Sequence, residues 1–332
     1  MNDFELMELK NMKKSQAFRR ALLQTDAQLS RYDPLDRILL VDDFDKGMNG
    51  WQTLFPDYDG WEDYPGRYPP VEPLSKILER SRRDTSMRVD RRIPTGKHGV
   101  PMLSSLTSWD IGSQGAWDGC YALKIPSIAR AGDKGLAVKR LTWPYPGKIR
   151  VETYFTYKAE PSDFRLGEAD IRSFFLALDV MDPHHVRLQG SEPMRWWPGV
   201  RYHNAQDGQL IQRWQAMLTG ATGVMDGPWD YLPDGRQDLG YNRSPTKYQW
   251  HYLRFTFDLA KHEYVDFHCY GQEFDVAGKK HIMNPPLKGF RASTDKCPGL
   301  VVILFGVETD TDKRCFLYLD SVVVSASEES RK

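Results

Sequence analysis

Beyond Pro34 the apolar residues of this chain recur at every second position, and they do so almost to the C-terminus. A period of two marks strands with one buried face. The runs are Arg37–Phe44, Tyr121–Ile125, Leu136–Leu141, Lys148–Tyr157, Ile171–Met181, Val200–His203, Gln249–Asp258, Glu263–Val276, Leu300–Glu308 and Cys315–Ser325. Between them stand turn signals such as Tyr145-Pro146-Gly147 and Ala277-Gly278. Many short strands with almost no intervening helix leave an all-β, antiparallel sandwich as the expected fold. At 332 residues, 40% of them hydrophobic, residues 34–327 are enough for one large domain with its own core. Pro56–Pro73 and Gly220–Thr246 are expected as long loops, which in compact domains tend to carry function.

The first 33 residues follow a different rule. Leu6, Leu9, Phe18, Leu22 and Leu29 recur at roughly helical spacing, which predicts an amphipathic helix over Phe4–Arg31. Asp33-Pro34 ends it. Such an arm needs a surface to cover, either its own sandwich or a neighbouring copy; exchange between copies would make a homo-oligomer. This N-terminus is charged throughout and lacks the apolar stretch of a secretory signal, so a cytoplasmic location is expected. No run of about twenty apolar residues predicts a membrane span. The formal net charge of +0 argues against nucleic acid or a membrane surface as the partner. Cys120, Cys269, Cys297 and Cys315 have neither zinc-ligand nor disulfide-framework spacing, and are expected as free thiols.

Two phrases place acids inside strand patterns. Val-Asp-Asp-Phe-Asp-Lys-Gly-Met-Asn-Gly-Trp spans Val41–Trp51, and Cys-Phe-Leu-Tyr-Leu-Asp-Ser-Val-Val-Val-Ser spans Cys315–Ser325. A charge in a buried strand is costly unless paired or bound to a cation. The phrases resemble the first and last strands of β-jelly-roll carbohydrate-binding modules, which often run Gly-Asp-Phe-Glu and Phe-Tyr-Ile-Asp-Asp-Val. The resemblance implies a structural Ca2+ held by Asp43, Asp45 and Asp320; Asp42 stands where those modules carry glycine. Trp250–Asp258 followed by Tyr270–Glu273 resembles paired strands of the concanavalin A-like lectins and glucanases. Both resemblances imply a saccharide ligand.

Strand parity suggests where that ligand would lie. In Trp250–Asp258 the core side takes Leu253, Phe255 and Phe257, leaving Tyr252 and Arg254 opposite. In Ile149–Tyr157 the outer set includes Arg150, Glu152 and Tyr154; in Tyr264–Tyr270 it is Tyr264, Asp266, His268 and Tyr270; in Val200–Asn204 it is Arg201 and His203. If these strands are neighbours, Glu152, Tyr154, Arg201, His203, Tyr252, Arg254, Asp266 and His268 form one concave outer face. Aromatic planes would stack on sugar rings there and polar groups would meet hydroxyls. An ordinary solvated sheet face is the plain alternative.

Whether such a face is catalytic is left open by the residues. Glycoside hydrolysis or polysaccharide lysis would draw on His203, Tyr252 and His268, with Tyr264 as another base and Arg201 or Arg254 neutralising a carboxylate. Glu168, Asp170 and Arg172 superficially resemble the Glu-x-Asp-x-Glu strand of retaining β-glucanases, but arginine replaces the second glutamate; a salt-bridged rim is the simpler expectation. His184 and His185 with Asp179 or Asp182 make an incomplete metal set, and Met194–Pro198 is expected as an aromatic loop that could cap a pocket. An assembly subunit, joined through the arm, is the third reading.

Overall fold

The computed structural model describes residues 21, 23–53, 101–104, 116–160, 167–181, 195–218, 228–241, 249–282 and 299–328. In chain order the strands are β1 (Arg37–Asp42), β2 (Met102–Leu103), β3 (Leu123–Pro126), β4 (Lys134–Thr142), β5 (Gly147–Ala159), β6 (Ile171–Met181), β7 (Arg195–Trp196), β8 (Gly199–Gln206), β9 (Gln209–Ala216), β10 (Asp230–Arg236), β11 (His251–Asp258), β12 (Glu263–Cys269), β13 (Gln272–Glu273), β14 (Leu300–Thr309) and β15 (Cys315–Glu328). They form two antiparallel sheets in a jelly-roll sandwich. One sheet has eight strands in the order β13-β12-β11-β5-β15-β3-β2, with β1 also paired to β15. The other has seven, β10-β9-β8-β6-β14-β4, with β7 paired to β6.

Parity decides the core. Val151, Phe155, Leu253, Phe255, Phe257 and Phe267 of the first sheet face Phe174, Leu176, Tyr202, Trp214, Ile303 and Phe305 of the second in one apolar cluster. Alternate residues of each strand point away from it. Tyr264 departs from the simple alternation. The β11–β12 register shifts between Thr256 and Phe257, so that Phe257 opposes Tyr264 and Val265 is the extra residue. The bulge turns Tyr264 inward, fully buried, where its hydroxyl donates to Met217 O (2.6 Å) and accepts from Gly199 N (3.0 Å). It is a core residue and not an outer-face base. Cys269 and Cys315 are buried free thiols, and Cys120 is exposed.

Three further expectations change. Glu168–Asp170 is a 3-10 turn, so these acids do not share a strand face; Arg172 pairs instead with Asp310 (2.8 Å) and Glu308 (3.5 Å). Residues 230–236 of the expected second loop form β10. Arg195–Trp196 is a short strand on β6, and Trp196 stacks on His262 with ring centroids 3.7 Å apart, so this segment packs within the sandwich. His184, His185, Cys297 and Pro56–Pro73 lie outside the described residues.

The N-terminal arm lies on its own sandwich. Residues 23–25 are helical, Tyr32 N closes a turn onto Leu29 O (3.0 Å), and the remainder of Phe4–Arg31 up to residue 20 lies outside the described residues. Leu23, Leu29 and Tyr32 pack on Ile38, Tyr154, Tyr252 and Val323 over the outer face of the eight-stranded sheet. Among the described residues no helix is long and apolar enough to cross a membrane.

At the end of β1 the Val41–Trp51 phrase folds around Asp42, which is buried. Its Oδ1 accepts from Phe44 N (3.2 Å) and Asn49 Nδ2 (2.8 Å), and its Oδ2 from Trp51 Nε1 (2.8 Å). Trp51 thereby seats against Phe44 and Phe305. Replacing Asp42 by alanine strands three donors, two of them buried with the tryptophan. Asp42→Ala is expected to lower unfolding stability by about 3 kcal/mol and Asp42→Asn by roughly half that, read from equilibrium urea unfolding. A loss below about 0.5 kcal/mol for the alanine variant would show that water replaces the carboxylate.

Candidate functional site on the seven-stranded sheet

Register brings six of the eight expected site residues together on the eight-stranded sheet. Glu152, Arg254 and His268 form one cross-strand row, and Tyr154 opposes Tyr252 in the next. Asp266, opposite Thr256, bonds Arg254 Nε (3.0 Å) and Arg150 Nη2 (3.1 Å). This face is covered by the chain itself. The Tyr32 ring lies 5.9 Å from Tyr154 and 6.3 Å from Tyr252, and its hydroxyl donates to Ser321 O (2.8 Å). Asp33 N donates to Glu152 Oε1 (2.8 Å), which also accepts from Tyr252 Oη (2.5 Å). The Asp33 carboxylate sits 2.7 Å from Arg150 and 3.7 Å from Arg254.

The electrostatics there are those of an internal interface. Burial pushes the Glu152 carboxyl up, against the hydrogen bonds from Asp33 and Tyr252 that lower it. The Tyr252 phenol is pushed far above its ordinary range by burial and then by Glu152, so it holds its proton and serves as a donor. His268 is lowered by burial and by Arg254.

The other two residues belong to the opposite sheet. Parity correctly puts Arg201 and His203 on the outer face of β8, but β8 pairs with β6 and β9. There they meet residues absent from the expected set. His203 Nδ1 lies 2.7 Å from Tyr231 Oη, and the two rings stack at 6.0 Å and 15°. The Arg213 guanidinium lies 4.6 Å from the Tyr231 ring centroid. Arg201 Nε donates to Gln215 Oε1 (2.8 Å), and its guanidinium lies 5.0 Å from the Trp229 ring. Register explains the convergence: His203 opposes Arg213, Arg201 opposes Gln215, and Gln215 opposes Tyr231.

Burial lowers the His203 pKa, and Arg201 and Arg172 lower it further, so its ring is neutral at neutral pH. Burial brings Arg201 down to about 10, leaving it charged. Tyr231 is 43% exposed. An open groove of about 630 Å³ adjoins the cluster through Arg213 and is lined also by Leu210, Ile211, Asp234, Arg236 and Gln272. Tyr231, Arg213 and Gln215 escaped the alternation pattern because Gln212 adopts a positive φ of 55° in β9, and Pro233 and Gly235 interrupt β10.

Two of the three acids expected to hold Ca2+, Asp43 and Asp45, line a cavity of about 90 Å³ with Asp118 and Ser321, and Asp320 is the neighbour of Ser321. Their oxygens are engaged by protein donors. Asp45 Oδ1 accepts from Cys120 N (2.6 Å) and Tyr121 N (3.0 Å); Asp320 Oδ2 accepts from Trp117 N (2.5 Å) and Asp118 N (2.9 Å); Asp43 accepts from Asp45 N (3.2 Å) and Gln28 Nε2 (3.3 Å). Among the described residues no three His, Cys, Asp or Glu side chains converge as metal ligands. Backbone N–H groups thus supply part of what a shared cation would supply at this corner.

The fold and this cluster define a jelly-roll sandwich with a polar, aromatic cleft on one outer face. Residues 19–74 and 84–328 match the family described as Domain of unknown function (DUF6772), and the chain belongs to that family. Among solved structures it is similar to the metal-free carbohydrate recognition domain of Emp46p (13% identity over 61% of this chain and 82% of that one, TM-score 0.33). It is also similar to endo-beta-1,4-glucuronan lyase from the fungus Trichoderma reesei (11%, 70% and 89%, TM-score 0.35) and to lectin II from Ulex europaeus (11%, 62% and 87%, TM-score 0.36). Likeness at this level says nothing of what this chain binds. Comparison with curated proteins gave no match.

Asp320 supplies a pH test of the corner. Burial raises its carboxyl from 3.8 to about 6, outweighing the bonds from Asp118 and Trp117. Between those values the folded chain keeps a proton that the unfolded chain has lost. The contribution of Asp320 to stability therefore falls as pH rises through this window and is level above it, by about 3 kcal/mol at most. Asp320→Asn should keep the loop, since one amide oxygen can accept both N–H groups, and should flatten unfolding stability between pH 4 and 6. An unchanged slope in that variant would assign it to another group.

Proposed function

We propose that the chain binds a saccharide on the outer face of the seven-stranded sheet, around His203, Tyr231, Arg201, Arg213 and Gln215. The observation that carries this reading is the 2.7 Å contact of His203 with a half-exposed Tyr231 whose ring also carries Arg213. An aromatic plane flanked by an imidazole, a guanidinium and an amide offers a stacking surface and directional donors and acceptors together, which a ring bearing many hydroxyls requires. The equivalent face of the eight-stranded sheet is partly occupied by its own arm, with Tyr32 and Asp33 set against its aromatic and arginine groups, which favours the seven-stranded sheet.

One observation favours a second reading, polysaccharide lysis by β-elimination. A neutral His203 hydrogen-bonded to a tyrosine hydroxyl pairs a base with a proton donor at one point, beside Arg201 to stabilise a substrate carboxylate. Hydrolysis is less well served. It asks for two carboxylates flanking the scissile bond, and Glu308, which register brings nearest to His203 through Ser173, is held by Arg172 and Ser173 Oγ.

Isothermal titration with a panel of neutral and acidic oligosaccharides identifies the ligand class. Tyr231→Ala is then expected to weaken binding at least ~10-fold, the equivalent of one lost stacking and hydrogen-bonding group, while the melting temperature stays within a few degrees. Tyr252→Phe, under the arm, should leave affinity unchanged. Affinity that survives Tyr231→Ala and is lost in Tyr252→Phe would move the site to the other sheet.

A further inference from the structure

We infer that the saccharide is acidic, and that Arg213 and Arg236 hold its acid groups in the groove beside the His203–Tyr231 pair. This rests on the reading that this face binds a saccharide, and adds its charge.

Several other arginines on the two sheets are paired with acids. Arg150 is paired with Asp33 and Asp266, Arg172 with Asp310 and Glu308, and Arg254 with Asp266 and Asp33. Each shares a sheet face with the acid that neutralises it. Among the described residues Arg201, Arg213 and Arg236 make no ion pair, although they lie close together on one sheet. Arg201 is held by an amide and an indole, Arg213 by a phenol ring, and Arg236 is exposed. Glu308, the nearest acid to Arg201, is already spent on Arg172 and Ser173. Asp234 lines the groove with Arg213 and Arg236, yet makes an ion pair with neither.

Placement sharpens the point. Arg236 is the register partner of Arg213 across the β9–β10 edge, after four residues of β10 loop out between Tyr231 and Arg236. Like charges directly opposite in a strand pair repel and destabilise it. An anion lying between the two arginines would remove that repulsion. A carboxylate or sulfate fits, because the planar guanidinium fork donates two parallel N–H groups to two oxygens. The row holding Arg201 is two residues along β9 from the row holding Arg213 and Arg236, about 7 Å away. The cations thus follow the groove in steps and suit a chain bearing more than one acid group. Gln272, whose Nε2 donates to Asp234 O (3.1 Å), brings the edge of the other sheet to the far wall.

The test uses the full-length chain and three oligosaccharides of equal length: an oligouronate, the same oligomer with its carboxyls reduced to alcohols, and a sulfated oligomer. Affinities are measured by titration calorimetry at 20 mM and 500 mM NaCl. The oligouronate or the sulfated oligomer is expected to bind at least ten-fold more tightly than the reduced one at low salt, with the gap narrowing at high salt; which of the two binds identifies the acid group. Arg236→Gln, at an exposed position outside the His203–Tyr231 contact, should remove much of that gap while affinity for the reduced oligomer stays within about two-fold. Arg213→Gln should narrow the gap and also weaken the reduced oligomer, since Arg213 flanks Tyr231. Unchanged melting temperatures establish that both fold. Equal affinity for the charged and reduced oligomers would overturn the acidic ligand and leave the saccharide site standing. Failure of every oligosaccharide to bind would overturn the saccharide reading, and this inference with it.

Discussion

Strand β15 pairs with β5 along its length on one side, while on the other it meets β3 through Phe316–Leu319 and then β1 through Val322–Ala326. The handover falls at Asp320 and Ser321, where Ser321 takes a positive φ of 52° and the register with β5 shifts. A bulge at this point lets one strand serve two partners in series on the same edge. The buried Asp320 carboxylate fixes the incoming segment by accepting from Trp117 N and Asp118 N, and Asp42 and Asp45 do the same for the loop after β1 and for residues 120–121. The corner where the first and last strands meet is thus closed by carboxylates bonded to backbone N–H groups. Everything else in the sandwich is hung on that seam, since β5 and β11 extend the sheet outward from it.

From the seam the two outer faces take different fates. The arm leaves β1 backwards across the eight-stranded sheet, and Tyr32 inserts among Tyr154 and Tyr252 while Asp33 bridges Arg150 and Arg254. Residues with the composition of a sugar site become the underside of a structural strap. Their polarity is used up in making a dry contact specific, which is the ordinary reason for a buried glutamate with raised pKa to be surrounded by N–H, O–H and guanidinium groups. The seven-stranded sheet has no such strap over β8, β9 and β10 among the described residues, and its polar groups there include ones left without a counter-charge.

Parity was reliable wherever the strands are regular. Leu253, Phe255 and Phe257 face the core, and Tyr252 and Arg254 face away, as alternation requires. It failed by one residue at Tyr264, because a bulge at Val265 reverses the phase and nothing in the local sequence marks it. It failed more widely at the site, for a different reason. Alternation says which side of its own strand a residue occupies and nothing about which sheet the strand joins. Arg201 and His203 therefore read correctly as outer-face residues, and incorrectly as neighbours of Arg254 and His268. Their true partners lie on β9 and β10, where Gln212 and Pro233 break the pattern that would have exposed them. The acids of the terminal phrases read correctly as a shared corner, but sequence cannot say whether backbone donors or a cation will satisfy them; chain geometry decides, and here it supplies the N–H groups.

The same distinction applies to charge. A formal net charge of +0 describes the far field, and the far field of this chain attracts nothing in particular. Sandwich topology sorts that balanced population unevenly: acids are drawn to the strand-end corner, where N–H donors await them, and to the arm-covered face, where arginines do. Among the described residues three arginines, Arg201, Arg213 and Arg236, are carried to the β8–β10 region without an ion pair. Within a groove walled by protein a local excess of this kind acts at short range, where screening by salt over about 8–10 Å no longer cancels it. Neutral composition is thus compatible with a local excess of arginine in one groove, where Arg213 and Arg236 stand beside a single acid, Asp234.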